Sequence, residues 1–466
     1  MAETATQDDH RDDAAPDGNR SARPPLSTLV RGWRWALPLA VAGVLLRLVA
    51  VAGIHLYRYF DSGEYETLDF SGRSRRPWTT PLLYDLLPDD DGSVVAAQAL
   101  IGAVSWLVLA FALAALFRRR SVQVGVAVAT VALGCTSVVT NWDATMLSEP
   151  MALSRTVLVS AAWTDFVRRP TELGALWVVV ATVPWMFVRQ SLMPTAWLTL
   201  LLAAGALVGL LVKKADRKAV TPLALVVVGL LLGCTWATIS YGRNTEILHH
   251  NITAIVADRI APDDDLRTWF VDEGMPLPAD GRLDFGGFDQ DAAFQAWVEE
   301  SGTSTYARFL AAHPWYTVTE PLEDFVGANR SYQEVPPFSD PQAPPVTMLA
   351  PAEPYGSSRD VLPGPTEDVL LRGGAVGTLL TALVVVTGWA ILRRRDIDRR
   401  WIVPLATIVL ATASLYAAWH GASTELPRLG LPAAVALRIA LIVLIGLLAE
   451  GELDRRDRGP AYPRSG

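Results

Sequence analysis

Apolar stretches of about 20 residues, the length a helix needs to cross ~30 Å of hydrocarbon, recur along this chain near 34–54, 93–117, 121–140, 148–166, 172–188, 192–212, 220–240, 373–392, 401–419 and 430–449. Inside a bilayer no water meets the backbone N–H and C=O groups, so segments of this kind cross as helices that satisfy those groups internally. The expected fold is an all-α polytopic membrane protein of about ten transmembrane helices. A 51% apolar and 19% charged composition excludes an ordinary soluble enzyme. Cys135 and Cys234 lie inside apolar blocks, lack the close pairing of a zinc site, and read as buried apolar residues.

Orientation follows from the short loops, because Lys and Arg accumulate on the cytoplasmic side. The basic clusters are Arg31 with Arg34, Arg118 to Arg120, Arg168 with Arg169, Lys213 to Lys218, Arg393 to Arg400 and Arg455 to Arg458. Ten spans with both termini cytoplasmic put all six inside. The chain then divides into a disordered tail (1–30), a first helical block (31–240) whose outer loop 55–92 is rich in charge, an outer loop domain (241–372), a second helical block (373–450) and a short inner tail (451–466). No small-residue cleavage site follows the first apolar block, which is expected to remain as an uncleaved helix. The expected location is a bacterial cytoplasmic membrane, the Arg-over-Lys bias pointing to a GC-rich bacterial genome.

The loop 241–372 carries 22 acidic residues against 8 Arg. That field repels nucleic acid and anionic headgroups. Helical spacing runs through Glu246 to Ile260, Leu266 to Glu273, Asp289 to Glu300 and Ser304 to Ala312, with Trp269, Phe270, Phe294, Trp297, Phe309 and Trp315 as apolar anchors. Pro and Gly recur from Val335 to Pro365 and oppose regular structure there. A small helical cap is expected, followed by an extended return.

Charges at the outer rim carry the chemistry. His55 to Leu68 and Gly72 to Tyr84 place Asp61, Glu64, Glu66 and Asp69 among Arg58, Arg73, Arg75 and Arg76. A carboxylate at this low-dielectric boundary is suited to accept a proton from a hydroxyl, and Asp61 is the candidate base. The alternative is an interfacial loop whose charges only pair with one another. Asp143, Glu149 and Arg155 follow in the second outer turn and the start of span four, where unpaired charge costs several kcal/mol; they serve function or neutralise one another. Arg189, after span five, either anchors to lipid or grips a lipid carrier's phosphate with its forked donors. Arg428 holds a phosphate or pairs with Glu425, while Arg47 and Arg438, deeper in spans one and ten, are expected to find structural partners. His10, His55, His249, His250, His313 and His420 show no metal-ligand spacing, which leaves only carboxylates for a hard divalent cation. P-loop, G-x-G-x-x-G and G-x-S-x-G patterns are missing, against nucleotide-driven transport and α/β-hydrolase chemistry.

Asp61-Ser-Gly-Glu-Tyr65, Arg76-Pro-Trp-Thr-Thr-Pro-Leu-Leu-Tyr84, Leu147-Ser-Glu-Pro150, the outward Arg189 and the Glu425-x-x-Arg428 turn together resemble the polyprenyl-phosphate-sugar-dependent membrane glycosyltransferases of the C fold class. That superfamily includes protein mannosyltransferases, aminoarabinose transferases and actinobacterial arabinofuranosyl- and mannosyltransferases. The resemblance implies a polyprenyl-phosphate-linked sugar donor, a hydroxyl acceptor on an extracytoplasmic glycan, lipid or protein, and no organic cofactor. It implies Asp61 and Glu64 as catalytic carboxylates and Arg189 and Arg428 as phosphate ligands. Asp143, Glu149, Arg155, His249 and Glu425 are supporting candidates. Several members carry a paired Asp-Glu at the first loop; here Ser62 follows Asp61 and the nearest acid is Glu64. Competing expectations are a transporter or lipid flippase, whose pathway would use Arg47, Arg155 and Arg438, and a glycan ligase or polymerase with a diphosphate-linked donor.

Overall fold

A computed structural model describes residues 34–58, 62–71, 74, 76–88, 90–323, 358–371, 374–392, 398–423 and 426–458. The expected tail 1–30, most of the Pro-rich return and the last residues of the inner tail lie outside them. Among the described residues the chain is helical without strands, its one extended pairing being a parallel bridge between Tyr57 and Thr145.

The helices are α1 (Ala36–Val51), α2 (Thr79–Asp85), α3 (Asp91–Ala114), α4 (Arg120–Gly134), α5 (Glu149–Arg168), α6 (Glu172–Met186), α7 (Met193–Val212), α8 (Arg217–Tyr241), α9 (Thr245–Ile255), α10 (Asp264–Asp272), α11 (Phe285–Gln290), α12 (Ala292–Trp297), α13 (Thr303–Ala312), α14 (Gly364–Leu371), α15 (Gly374–Leu392), α16 (Ile402–Gly421) and α17 (Leu426–Arg458). Local chemistry sets several starts. Asp90 accepts from the Ser93 N–H at 2.8 Å to open α3, and Thr171 accepts from the Gly174 N–H at 3.0 Å to open α6. Pro150 and Pro194 stand in the first turns of α5 and α7, where a missing N–H costs nothing.

All ten expected blocks are helical, the third as two helices, Arg120–Gly134 and Ser137–Ala144, that meet at 53°. Among the described residues five helices are both long and apolar enough to cross a bilayer, six if the bent pair counts as one span. The rest fall short for physical reasons. The 16 residues of α1 reach only ~24 Å at ~1.5 Å per residue, and α5 carries Glu149, Arg155, Asp165 and Arg168.

The bundle has two apolar lobes that share α5. Leu153, Val157 and Ala161 pack with α3, α16 and α17, whereas Met151, Ala152, Ala162 and Phe166 pack with α6, α7 and α8. Both cysteines are buried and unpaired. One end is stapled by Glu450, whose carboxylate accepts from the backbone N–H groups of Arg118 (2.5 Å) and Arg119 (3.0 Å) and pairs with Arg400. At the other end, Arg243 Nη1 donates to Ser71 O (3.1 Å) and Asn244 Nδ2 to Ser74 O (2.7 Å), tying the end of α8 to the first long loop. Segments expected on the inner side therefore meet at one end, and segments expected outside meet at the other.

The cap is a separate apolar cluster in which Ile252, Phe270, Phe288, Phe294, Trp297 and Phe309 are buried and Trp269 is partly buried. Trp315 departs from expectation: it is 79% exposed and anchors nothing within the cap. Arg259 clamps the cap to the end of α16, donating to Trp419 O (2.6 Å) and Ala422 O (2.8 Å) with its guanidinium 3.8 Å over the Trp419 ring. After the segment that lies outside the described residues, the chain returns as Ser358, whose N–H donates to Asn141 Oδ1 (2.7 Å), and α14, whose Glu367 accepts from Ser137.

Candidate functional site

The first outer loop is strapped to the second outer turn. The Tyr57 N–H donates to Ala144 O (2.7 Å) and the Met146 N–H to Tyr57 O (2.9 Å), while Ser62 Oγ donates to Met146 O (2.8 Å). Helix α2 then spans two neighbours. Tyr84 Oη donates to Leu147 O at 2.9 Å, and Thr79 Oγ1 donates to Pro184 O at 2.9 Å. The loop 62–84, the turn 146–149 and the α6–α7 turn thus form one assembly.

Two carboxylate–guanidinium pairs sit in it. Arg189 Nη2 donates to Glu149 Oε1 at 2.7 Å, both side chains buried. Arg76 Nε donates to Glu64 Oε2 at 2.7 Å, with the side chains 24% and 30% exposed. Between the pairs stand two tyrosines: the Arg76 guanidinium lies 5.0 Å over the Tyr65 ring, which meets Tyr84 edge-on at 6.5 Å. Burial, reinforced by Tyr65 and Glu149 nearby, pushes the Tyr84 phenol well above its ordinary range, so it stays protonated as a donor.

Beside Arg76 opens a narrow crevice lined by Asp69, Phe70, Trp78, Phe187, Gln190 and Tyr241, with about 10 Å³ of space, close to the room one water needs. Its walls are aromatic: Trp78 lies 5.5 Å from Phe70 and 5.4 Å from Phe187. Asp69 is occupied locally, accepting from Ser71 and Ser74, and Arg58 pairs with Glu66 at 2.8 Å in solvent. Part of the charged loop therefore does pair with itself.

Of the sequence candidates, Glu64, Glu149 and Arg189 come together here. Asp61 lies outside the described residues, as do Glu425 and the Arg428 side chain. Asp143, Glu149 and Arg155 do not neutralise one another. Fully buried Asp143 takes Arg47 Nε at 2.8 Å and Nη2 at 2.9 Å, while Arg47 Nη1 donates to Gly134 O at 2.7 Å. This answers the expected structural partnering of Arg47; Arg438 finds carbonyls instead, capping α14 through Leu370 O (3.2 Å) and Leu371 O (3.0 Å). His249 is half-buried on α9, and among the described residues no hydrogen bond or ion pair ties it to the cluster. Sequence reasoning assigned no role to Tyr65, Arg76 and Tyr84, although all three stand in the quoted segments; nothing in a linear pattern tells that Arg76 meets Glu64 and the Tyr65 ring.

Neither a comparison with protein-family models nor one with curated proteins finds a match for this chain.

Proposed function

We propose that this chain is an integral membrane glycosyltransferase that moves a sugar from a polyprenyl-phosphate donor to a hydroxyl acceptor at the outer face of a bacterial cytoplasmic membrane. One observation carries the reading: two carboxylate–guanidinium pairs, one half-exposed and one buried, converge on a pair of tyrosines beside an aromatic crevice. They do so at the end of the bundle where the segments expected outside meet. The same partition of segments supports ten spans with both termini inside.

The chemistry is a displacement at the anomeric carbon. The acceptor oxygen bonds to that carbon, the carbon–oxygen bond to phosphate breaks with its electron pair leaving on phosphate, and the hydroxyl proton passes to a carboxylate. Glu64, at the open end of the cluster, and Asp61, three residues before it, are the carboxylates for that proton. Arg76, paired with Glu64 at the rim of the aromatic crevice, offers guanidinium donors beside that carboxylate. The buried Glu149–Arg189 pair holds the α6–α7 turn against α5 and keeps this geometry in place.

The test incubates purified protein with a panel of polyprenyl-phosphate sugars and measures released polyprenyl phosphate. Release is expected from the unaltered chain, with Asp61→Asn and Glu64→Gln each impaired. No release with any donor, or substrate flux in sealed vesicles without a covalent product, overturns the proposal.

A further inference from the structure

Arg155 is half-buried and stands apart from the buried arginines Arg47, Arg189 and Arg438. It lies on α5 six residues after Glu149, about 9 Å further along the axis at ~1.5 Å per residue. Helical spacing puts it on the stripe of Met151, Ala152, Val159 and Ala162, all members of the apolar cluster shared with α6, α7 and α8. Its Nε is buried without a hydrogen-bond partner, and among the described residues its guanidinium makes no ion pair. Arg47, by contrast, has three hydrogen bonds. A buried guanidinium nitrogen without an acceptor costs free energy, and a guanidinium that is only half covered can take its acceptor from outside the chain.

Two properties of that acceptor follow. It offers several anionic oxygens, because a guanidinium presents planar forked donors. It arrives through hydrocarbon, because Arg155 lies more than a turn inside α5 on the stripe that joins the apolar cluster with α6, α7 and α8, with helical side chains leaning back toward the N-terminal, outer end. A phosphate carried on a lipid chain has both properties.

We propose that Arg155 is the phosphate-binding residue for a lipid-borne phosphate. The inference deepens the transfer reading, and rests on it for a polyprenyl rather than a glycerol-based lipid. Arg189, the guanidinium expected from the sequence to grip phosphate, is engaged by Glu149 and orders the turn. Arg155 receives the carrier phosphate below that turn, which leaves the donor's sugar directed outward, toward Glu64 and Arg76.

The test uses the full chain in lipid-free detergent and reads thermal stabilisation by polyprenyl monophosphate, phosphatidylglycerol, oleate and inorganic phosphate, since a ligand that binds only the folded state raises Tm. Polyprenyl phosphate is expected to stabilise the unaltered protein, with apparent affinity at least tenfold weaker in Arg155→Gln and intermediate in Arg155→Lys. Without lipid, Arg155→Leu is expected to melt higher than the unaltered chain, because it removes an unpaired charge. Stabilisation by phosphatidylglycerol alone, lost in Arg155→Gln, keeps the phosphate site and removes the transfer reading. Equal affinity in Arg155→Gln, an equal response to oleate, no response to either phospholipid, or a lower lipid-free Tm in Arg155→Leu overturns the proposal.

Discussion

Two buried arginines, Arg47 on α1 and Arg189 in the turn after α6, each meet a carboxylate, and the two sites differ in how completely they are closed. Arg47 delivers two hydrogen bonds to Asp143 and a third to Gly134 O, with both side chains essentially out of reach of solvent. Around Glu149 and Arg189 the neighbours are themselves titratable or reachable: Tyr84, Tyr65, and a second pair, Glu64 and Arg76, that faces the crevice. A closed pair ties helices together. A cluster that grades from buried to open keeps one of its ion pairs within reach of solvent.

The largest expected effect separates these roles at the open end. Glu64→Gln should lower transfer by about 10²- to 10⁴-fold, the usual worth of a positioned general base, while its melting temperature changes little because the pair is partly exposed. Unaltered transfer would place the chemistry elsewhere. Next comes the closed knot: Arg47→Leu leaves Asp143 buried and uncompensated, at a cost of about 3–5 kcal/mol, read as a large drop in Tm in detergent. The double variant Arg47→Leu with Asp143→Leu should recover much of it, and failure to do so would deny that the pair is the unit.

A smaller effect probes how the knot is packed. Any Cβ at Gly102 would collide with the Arg47 guanidinium, so Gly102→Ala should destabilise by about 1–3 kcal/mol, as overpacking does, and be rescued in the Arg47→Leu background. The smallest sharpens the open cluster: Tyr84→Phe removes the donor to Leu147 O and should cost about 1–2 kcal/mol in unfolding free energy. Because Tyr84 bridges the first loop to the second outer turn, a loss of transfer larger than that of stability would show that the bridge also orders the site.

Much of the architecture was legible. Apolar runs such as 93–117 and 220–240 reappear as α3 and α8, and the cap helices appear close to the stretches marked by helical spacing. Trp315 was misread because an aromatic at the right interval looks the same in sequence whether it faces a core or solvent. The inner ends drawn together at Glu450 were legible as a set of basic clusters, though not as contacts. At the rim, the residue types were visible and their partners were not. Asp143, Glu149 and Arg155 stand within one short stretch, yet Asp143 pairs with a residue 96 positions away and Glu149 with one 40 positions away.

Sequence alone determined that this chain is helical and rich in membrane-length segments, because hydrocarbon length and backbone satisfaction are local demands met within each block. Only the tertiary structure decided which charges cancel and which stay available. Pairing depends on distances of a few ångströms between segments far apart in the chain, and those distances exist only once the helices have packed.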